Sequence, residues 1–349
     1  MRVVVIGATG NVGTSVLAAL AADPQVDEIV AVARRPPSRS LEGAEFVQAD
    51  VTTSALEPVL RGADAVVHLA WLIQPGRDES VTRRVNVDGS VRVFEATASA
   101  GVPALVYASS IGAYSPGPKD RRVDESWPTD GIPSSFYSRH KSEVERHLDR
   151  VEREHPHLRV VRLRPGLIFK RQAATEIRRL FVGPLLPRAL LRTKLVPVFP
   201  AVPGLRFQAV HSDDVAEAYR AAVVSDVSGA FNIAAEPDLG PEELAGMVHA
   251  RTVTVPPQIL RGAADLTYRL RLQPAEPGWV DMGLNVPLMS IERARRELGW
   301  QPRHSAAEAL SELLEGMRDG ADDETAPLAA STTGPARVRE FLTGLGQRQ

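Results

Sequence analysis

The sequence contains no cysteine. Disulfides, thiolate nucleophiles and cysteine-held metal sites are therefore excluded, and the composition fits a reducing compartment. Long apolar runs are also missing. Charged residues interrupt every stretch before it reaches the roughly 20 residues that a membrane span requires. The first apolar run, Met1 to Ile6, has no basic segment before it and is too short for the core of a secretory leader. These features lead us to expect a soluble cytoplasmic protein without a membrane span. Neither sign of charge dominates: 41 basic and 43 acidic residues leave −2 over 349 residues. No global field therefore favours nucleic acid. No His/Asp/Glu cluster has metal-ligand spacing, and no metal is expected.

Against these absences stands a strong amino-terminal pattern. Val3, Val4, Val5 and Ile6 form a β-branched run that breaks into Gly7-Ala8-Thr9-Gly10-Asn11-Val12-Gly13, and an alanine- and leucine-rich helical stretch follows. A strand that turns through glycines into a helix is a dinucleotide-binding arrangement. The glycines let the backbone approach a pyrophosphate, which sits on the free N–H groups of the helix start. Further short apolar runs alternate with helical patterns: Glu28–Ala33, Glu45–Gln48, Ala65–Leu69, Ala104–Ala108 and Leu158–Leu163 as strands, with helices at Thr82–Ala100 and Ser138–Glu154. That alternation predicts a Rossmann-type α/β fold with a doubly wound parallel sheet over residues 1–164. A returning strand is expected near Ala230–Ala234, and residues 165–317 are read as mainly a smaller α/β substrate-binding region. Residues 318–349 are rich in Asp, Ala, Thr and Ser and read as a disordered tail with a short helix near Ala336–Leu345.

Later motifs extend the amino-terminal one in order. Ala108-Ser109-Ser110-Ile111-Gly112-Ala113-Tyr114 follows the fifth strand, and Tyr137-Ser138-Arg139-His140-Lys141 comes after it. Arg164-Pro165-Gly166, His211-Ser212-Asp213-Asp214-Val215 and Glu297-Leu298-Gly299-Trp300 continue the series. Together they resemble the extended branch of the short-chain dehydrogenase/reductase superfamily, in particular its NAD-dependent epimerase/dehydratase family. The resemblance implies a catalytic Ser110, Tyr137 and Lys141. It also implies cofactor contacts from Gly7, Thr9, Gly10, Asn11, Val12 and Gly13, from Asp50 and Val51 at the adenine, and from Leu69 and Ala70 along the ribose path. Asn86, Ser109, Tyr137, Lys141 and Pro165 complete that set. The family's habit implies a homodimer through the two long helices. The heavy charge of the second leaves a monomer open.

Tyr137 and Lys141 are four residues apart and share one helix face. A neighbouring ammonium lowers a tyrosine pKa from its usual ~10. On that reading Tyr137 exchanges a proton with substrate while Ser110 holds the same oxygen. The second strand ends in Arg34-Arg35 rather than an acidic residue, which favours NADP over NAD through pairing with a 2′-phosphate. The stretch between Ile177 and Phe207 is apolar (Leu180, Phe181, Leu185, Leu186, Leu190, Leu191, Val196, Val198, Phe199). It leads us to expect a carbonyl reductase or alcohol dehydrogenase acting on a small, rather apolar substrate. Trp71, Leu72, Arg164, Lys170 and Arg206 are its candidate substrate contacts. The alternative is a nucleotide-sugar epimerase or dehydratase. A second alternative is an NADP-binding redox sensor without turnover.

Overall fold

The computed structural model describes residues 1–38, 41, 43–73, 77–178, 198–273, 275–321, 325 and 328. Its strands are β1 (Arg2–Ile6), β2 (Glu28–Ala33), β3 (Glu45–Gln48), β4 (Ala65–His68), β5 (Ala104–Ala108), β6 (Arg122–Val123), β7 (Arg159–Pro165), β8 (Leu167–Phe169), β9 (Val198–Ala201), β10 (Ala209–His211), β11 (Gly229–Ile233), β12 (Arg251–Thr254) and β13 (Leu288–Met289). The helices are α1 (Asn11–Ala21), α2 (Glu57–Leu60), α3 (Glu79–Arg83), α4 (Gly89–Ser99), α5 (Phe136–Glu154), α6 (Ala174–Ile177), α7 (Ser212–Val224), α8 (Pro241–Met247), α9 (Pro257–Arg269), α10 (Gly278–Asn285), α11 (Glu292–Glu297) and α12 (Ala306–Asp319).

Seven strands form one parallel sheet in the order β11-β7-β5-β4-β1-β2-β3. The uninterrupted apolar runs of β1 and β4 follow from this position, because helices cover both faces and enclose the side chains of Val3 to Ile6 and Ala65 to His68. One core packs Val3, Val5 and Val67 under α1 and α7; the other packs Val4, Ile6 and Val66 under α4 and α5. Chain order reverses between β1 and β4, which sit side by side. In doubly wound sheets that reversal opens a crevice at the carboxyl ends of the strands. It places the Gly7–Gly13 loop opposite Leu69 and Ala70.

The long helix read over Thr82–Ala100 begins earlier and is broken. A π-turn at Arg84–Asp88 separates α3 from α4 and carries Asn86 inward. Gly89 opens α4 where an added Cβ would lie 2.7 Å from Val51 Cγ2, so the helix can approach β3's end only as glycine. The smaller region is built from three two-stranded pairs, β8–β10, β9–β12 and β6–β13. Most of the 318–349 tail, with the short helix read near its end, lies outside the described residues, although α12 continues to Asp319. No helix among the described residues is long and apolar enough to cross a membrane.

A buried carboxylate joins the sheet to α5. Glu145 Oε1 and Oε2 accept from Arg164 Nε (2.9 Å) and Nη2 (3.0 Å), Oε2 accepts from Arg162 Nη1 (2.9 Å), and Oε1 accepts from Ser109 Oγ (2.5 Å). Burial opposes its charge, yet Arg164, Arg162 and Ser109 hold its carboxyl at about 2. A carboxyl depressed on folding stabilises the fold above its unfolded pKa and loses that contribution as pH falls toward the folded value. Glu145 therefore contributes on the order of 3 kcal/mol near neutral pH, lost progressively between about pH 4.5 and pH 2. Glu145→Ala is expected to remove at least that much and to leave the buried Arg164 without a counter-ion, while Arg162 keeps Asp149 and Glu152, for a total of about 3–5 kcal/mol in chemical denaturation at pH 7. A loss under about 1 kcal/mol would overturn this account.

Candidate active site

The glycine loop shows which glycines the protein needs for its own packing. Gly7 has φ +87°, and a Cβ there would lie 2.6 Å from Ala70 N. At Gly13 a Cβ would lie 2.4 Å from Gly7 O. Both positions are fixed by backbone contact. Gly10 differs: a Cβ there meets nothing nearer than Gly7 O at 3.6 Å. Gly10 is also the N-cap of α1, with no side-chain cap and no acidic residue in the first turn. The helix therefore presents bare N–H groups to an open space, which suits a pyrophosphate. Asn11 Nδ2 donates to Ile168 O (3.3 Å), while its buried Oδ1 has no partner among the described residues. Thr9 is buried in the same turn, and Val12 packs partly against the core. These residues fit a bound dinucleotide.

At the end of the crevice beyond β3, Asp50 accepts from Thr52 N (2.8 Å) and Thr52 Oγ1 (2.6 Å). Burial alone would raise its pKa, but the Thr52 bonds and the charge of Arg34 keep it lowered. The field of Arg34 thus already falls on an acidic neighbour. The carbonyl of Arg34 accepts from Gln48 Nε2 (3.1 Å). Val51 is buried beneath Gly89, and Arg35 follows Arg34 at the strand end.

The chemical end lies at the mouth of β5. Ser110 caps the short 3₁₀ turn Ile111–Ala113, its Oγ accepting from Gly112 N (3.0 Å). Gly112 allows the tyrosine to lie against the backbone, since a Cβ there would lie 2.8 Å from Tyr137 Cε1. Tyr137 is the second residue of α5, which starts after the Ser135 cap, and Ser110 lies close enough to its hydroxyl to lower its pKa. Lys141, one turn on, is 2% exposed. Its Nζ donates to Ala108 O (2.6 Å), sits 3.4 Å from the Trp71 ring centroid and lies 5.8 Å from that of Tyr137.

The electrostatics differ from the sequence expectation. Burial pushes Tyr137 up to about 12, with the Ser110 bond opposing, and burial drives Lys141 well below its usual range, with Glu145 opposing. The lysine is turned toward Trp71 and Ala108, and burial rather than the lysine sets the direction of the tyrosine's shift. Two tryptophans flank the phenol: Trp71 edge-on at 5.8 Å and Trp279 tilted at 4.9 Å. Trp279 gave no signal in the sequence. It sits in a proline-flanked, aperiodic stretch and comes to Tyr137 only through α10. It also forms a wall of a cavity of about 430 Å³ between α9 and α10, lined by Leu260, Ala264, Thr267, Glu276 and Val280.

Several other expected contacts are engaged within the protein. Asn86 accepts from Leu72 N (2.7 Å) and donates to Leu72 O (2.8 Å), so it fixes the Trp71–Leu72 segment. Ser109 is bound to Glu145. Arg164 is 5% exposed and committed to Glu145, Tyr114 Oη (3.0 Å) and Glu125 O (3.0 Å), which removes it from substrate space. Lys170 is also buried, donating to Thr14 Oγ1 (2.6 Å) behind the glycine loop. Pro165 is buried where β7 pairs with Ile233 of β11. Arg206 is partly exposed, 4.0 Å from Asp238. The packing difference between the glycines gives a direct test. Gly10→Ala should keep the melting temperature within about 2 °C yet lower dinucleotide affinity at least about tenfold. Gly13→Ala should lose both affinity and about 1–3 kcal/mol of stability. Equal loss of stability in the two variants would refute the distinction.

The family model for the NAD dependent epimerase/dehydratase family matches residues 3–234. An uncharacterized protein of Mycobacterium tuberculosis (strain H37Rv) is 28% identical over 321 residues, 91% of this chain; the chain spans 30% of that relative's length. The UDP-glucose 4-epimerase of Thermus thermophilus, solved with NAD, superposes with a TM-score of 0.67 at 22% identity, covering 91% of this chain and 99% of the other. The dTDP-glucose 4,6-dehydratase DesIV of Streptomyces venezuelae, also solved with NAD, gives 0.66 at 20% identity, covering 94% and 100%. Two expectations are corrected. NADP preference gives way, because these neighbours carry NAD and Arg34 stands beside Asp50. The carbonyl reductase or alcohol dehydrogenase reading also gives way, because the matching family is one of epimerases and dehydratases and these two solved neighbours are a UDP-glucose 4-epimerase and a dTDP-glucose 4,6-dehydratase. Most of the apolar stretch that prompted it, residues 179–197, lies outside the described residues, and Val198 is 48% exposed on β9. The chain belongs to the NAD dependent epimerase/dehydratase family, within the extended short-chain dehydrogenase/reductase superfamily.

Proposed function

We propose that this protein is an NAD-dependent enzyme that epimerises or dehydrates a nucleotide-linked sugar. The observation that carries the reading is the convergence of Ser110, Tyr137 and Lys141 beside the β1/β4 crevice, in a chain whose family and fold neighbours do this chemistry. Bound NAD would supply a hydride acceptor that returns the hydride within one cycle.

The chain's own residues supply the rest. Gly10 and the first turn of α1 would hold the pyrophosphate, and Asp50 would meet the adenosine. Ser110 Oγ and Tyr137 Oη define one oxygen-binding position, where a sugar hydroxyl would sit. Tyr137 takes that hydroxyl's proton as the sugar is oxidised and returns it on reduction. Burial favours the protonated phenol. The phenol would come within working range when a positive charge, such as that of an oxidised nicotinamide, lies beside it. Such coupling confines the base to the complex that can use it. Arg206 is the candidate partner for the sugar's diphosphate, since its guanidinium is partly exposed and 4.0 Å from its acidic neighbour.

Incubation with catalytic NAD and a panel of UDP- and dTDP-hexoses should give an epimerised or 4-keto product without accumulation of NADH. Stoichiometric NADH release would overturn the proposal. Tyr137→Phe is expected to lower kcat by about 10²-fold or more while NAD affinity changes less than about threefold. The ultraviolet titration difference between the native protein and Tyr137→Phe should show a phenol near pH 12 that moves down when NAD⁺ saturates the site. An unmoved phenol would remove the cofactor's role in activating it.

A further inference from the structure

Among the described residues, the exposed large hydrophobics are Val198, Val253, Ile259, Leu266, Leu270 and Leu272. All lie in one part of the fold, on α9, on the turn after it and on the β9–β12 pair just before it. Helix α9 has no buried residue over its thirteen positions. Ile259, Leu266 and Leu270 are spaced i, i+7 and i+11, so they form one stripe along it. The stripe is 56–60% exposed, whereas Leu260, Ala264 and Thr267 on the neighbouring face line the cavity against α10. On the adjoining strands, Val198 lies opposite Arg251, and Val253 is two residues further along, so the three share one face of the ribbon.

Charge on α9, the turn after it and β12 is predominantly positive, whereas the neighbouring α8 carries Glu242 and Glu243. Residues 249–273 hold four arginines (Arg251, Arg261, Arg269, Arg271) against one aspartate, Asp265, in a chain whose net charge is −2. Asp265 neutralises Arg269 (2.9 Å), and Asp281 neutralises Arg261 (2.8 Å). Arg251 and Arg271 make no ion pair among the described residues. An exposed leucine stripe with arginines at its borders matches an interfacial helix, which buries its apolar face at the headgroup boundary and gains further from anionic lipid. A second copy of this chain would bring the same arginines against their own kind. Charge therefore favours an acidic surface over self-association.

We propose that α9 and the β9–β12 ribbon form a docking surface for an anionic lipid bilayer, holding the enzyme peripherally against it. The inference is independent of the reaction assigned to the active site.

The test is co-sedimentation of the full chain with phosphatidylglycerol vesicles and with phosphatidylcholine vesicles. Binding is expected to the former at low salt, weaker by at least about tenfold at roughly 0.5 M salt, and weaker by a similar factor on the neutral vesicles. Leu266→Asp/Leu270→Asp should lower partitioning at least about tenfold with melting temperature and NAD affinity unchanged. Arg251→Gln/Arg271→Gln leaves the apolar stripe intact and should weaken binding about thirtyfold. The proposal is overturned if neither vesicle binds, or if both double variants bind as the native chain does. It is equally overturned if the native chain is a dimer that the aspartate variant splits, which assigns the face to a second copy. A fall of several degrees in melting temperature in that variant would overturn it too, by assigning the face to another segment of this chain.

Discussion

One buried carboxylate sets the geometry on which the active site depends. Glu145 lies on α5 one turn beyond Lys141, and it grips Ser109, the neighbour of Ser110, together with Arg162 and Arg164 of β7. The helix that carries Tyr137 and Lys141 is thereby locked to the strand end that carries Ser110. A buried ion pair is a poor source of net stability, because desolvating the charges offsets most of their attraction. Its value here lies in direction. Bidentate contacts to a planar guanidinium allow little rotation, so serine, tyrosine and lysine are held in register before any ligand arrives.

Around this fixed frame the polar groups of the site are tied to the protein's own atoms. The Lys141 ammonium lies over Trp71 and donates to Ala108 O, and the phenol of Tyr137 is held protonated by its apolar surroundings. Asn86, turned inward by the π-turn, grips the backbone of Leu72 from both sides and keeps Trp71 where the lysine meets it. Trp71, Tyr137, Lys141 and Asn86 are thus one mechanical unit. A ligand that draws Lys141 toward its own hydroxyls must also loosen the lysine's contact with the indole.

The sheet was largely legible in the sequence because parallel strands are enclosed on both faces and so appear as continuous apolar runs. β1, β2, β3 and β5 lie where those runs do. The broken helix over residues 79–99 was not legible. Its pattern is continuous, and only the pull of Leu72 on Asn86 makes the π-turn meaningful. Helix α9 differs from the other helices in another way: none of its residues is buried, and its apolar stripe faces outward rather than toward a core. Among site residues, local order in the chain indicated Tyr137, Lys141 and the glycine loop. Arg164 and Lys170 read as substrate contacts because nothing local announces that Glu145 and Thr14 are their partners. Arg34-Arg35 read as a phosphate clamp because the field of Asp50 comes from a different strand.

The aromatic grouping at Tyr137 also has an optical consequence. Of the four tryptophans in the chain, Trp71 and Trp279 flank the catalytic phenol, Trp300 is buried with its indole N–H donating to Asp214 O (2.7 Å), and Trp127 donates to Ser115 O. Indole emission overlaps the absorption band of a reduced nicotinamide but not that of an oxidised one. With the proposed function, two of the four tryptophans would stand beside the phenol that exchanges the proton, and their emission would report each passage of the hydride.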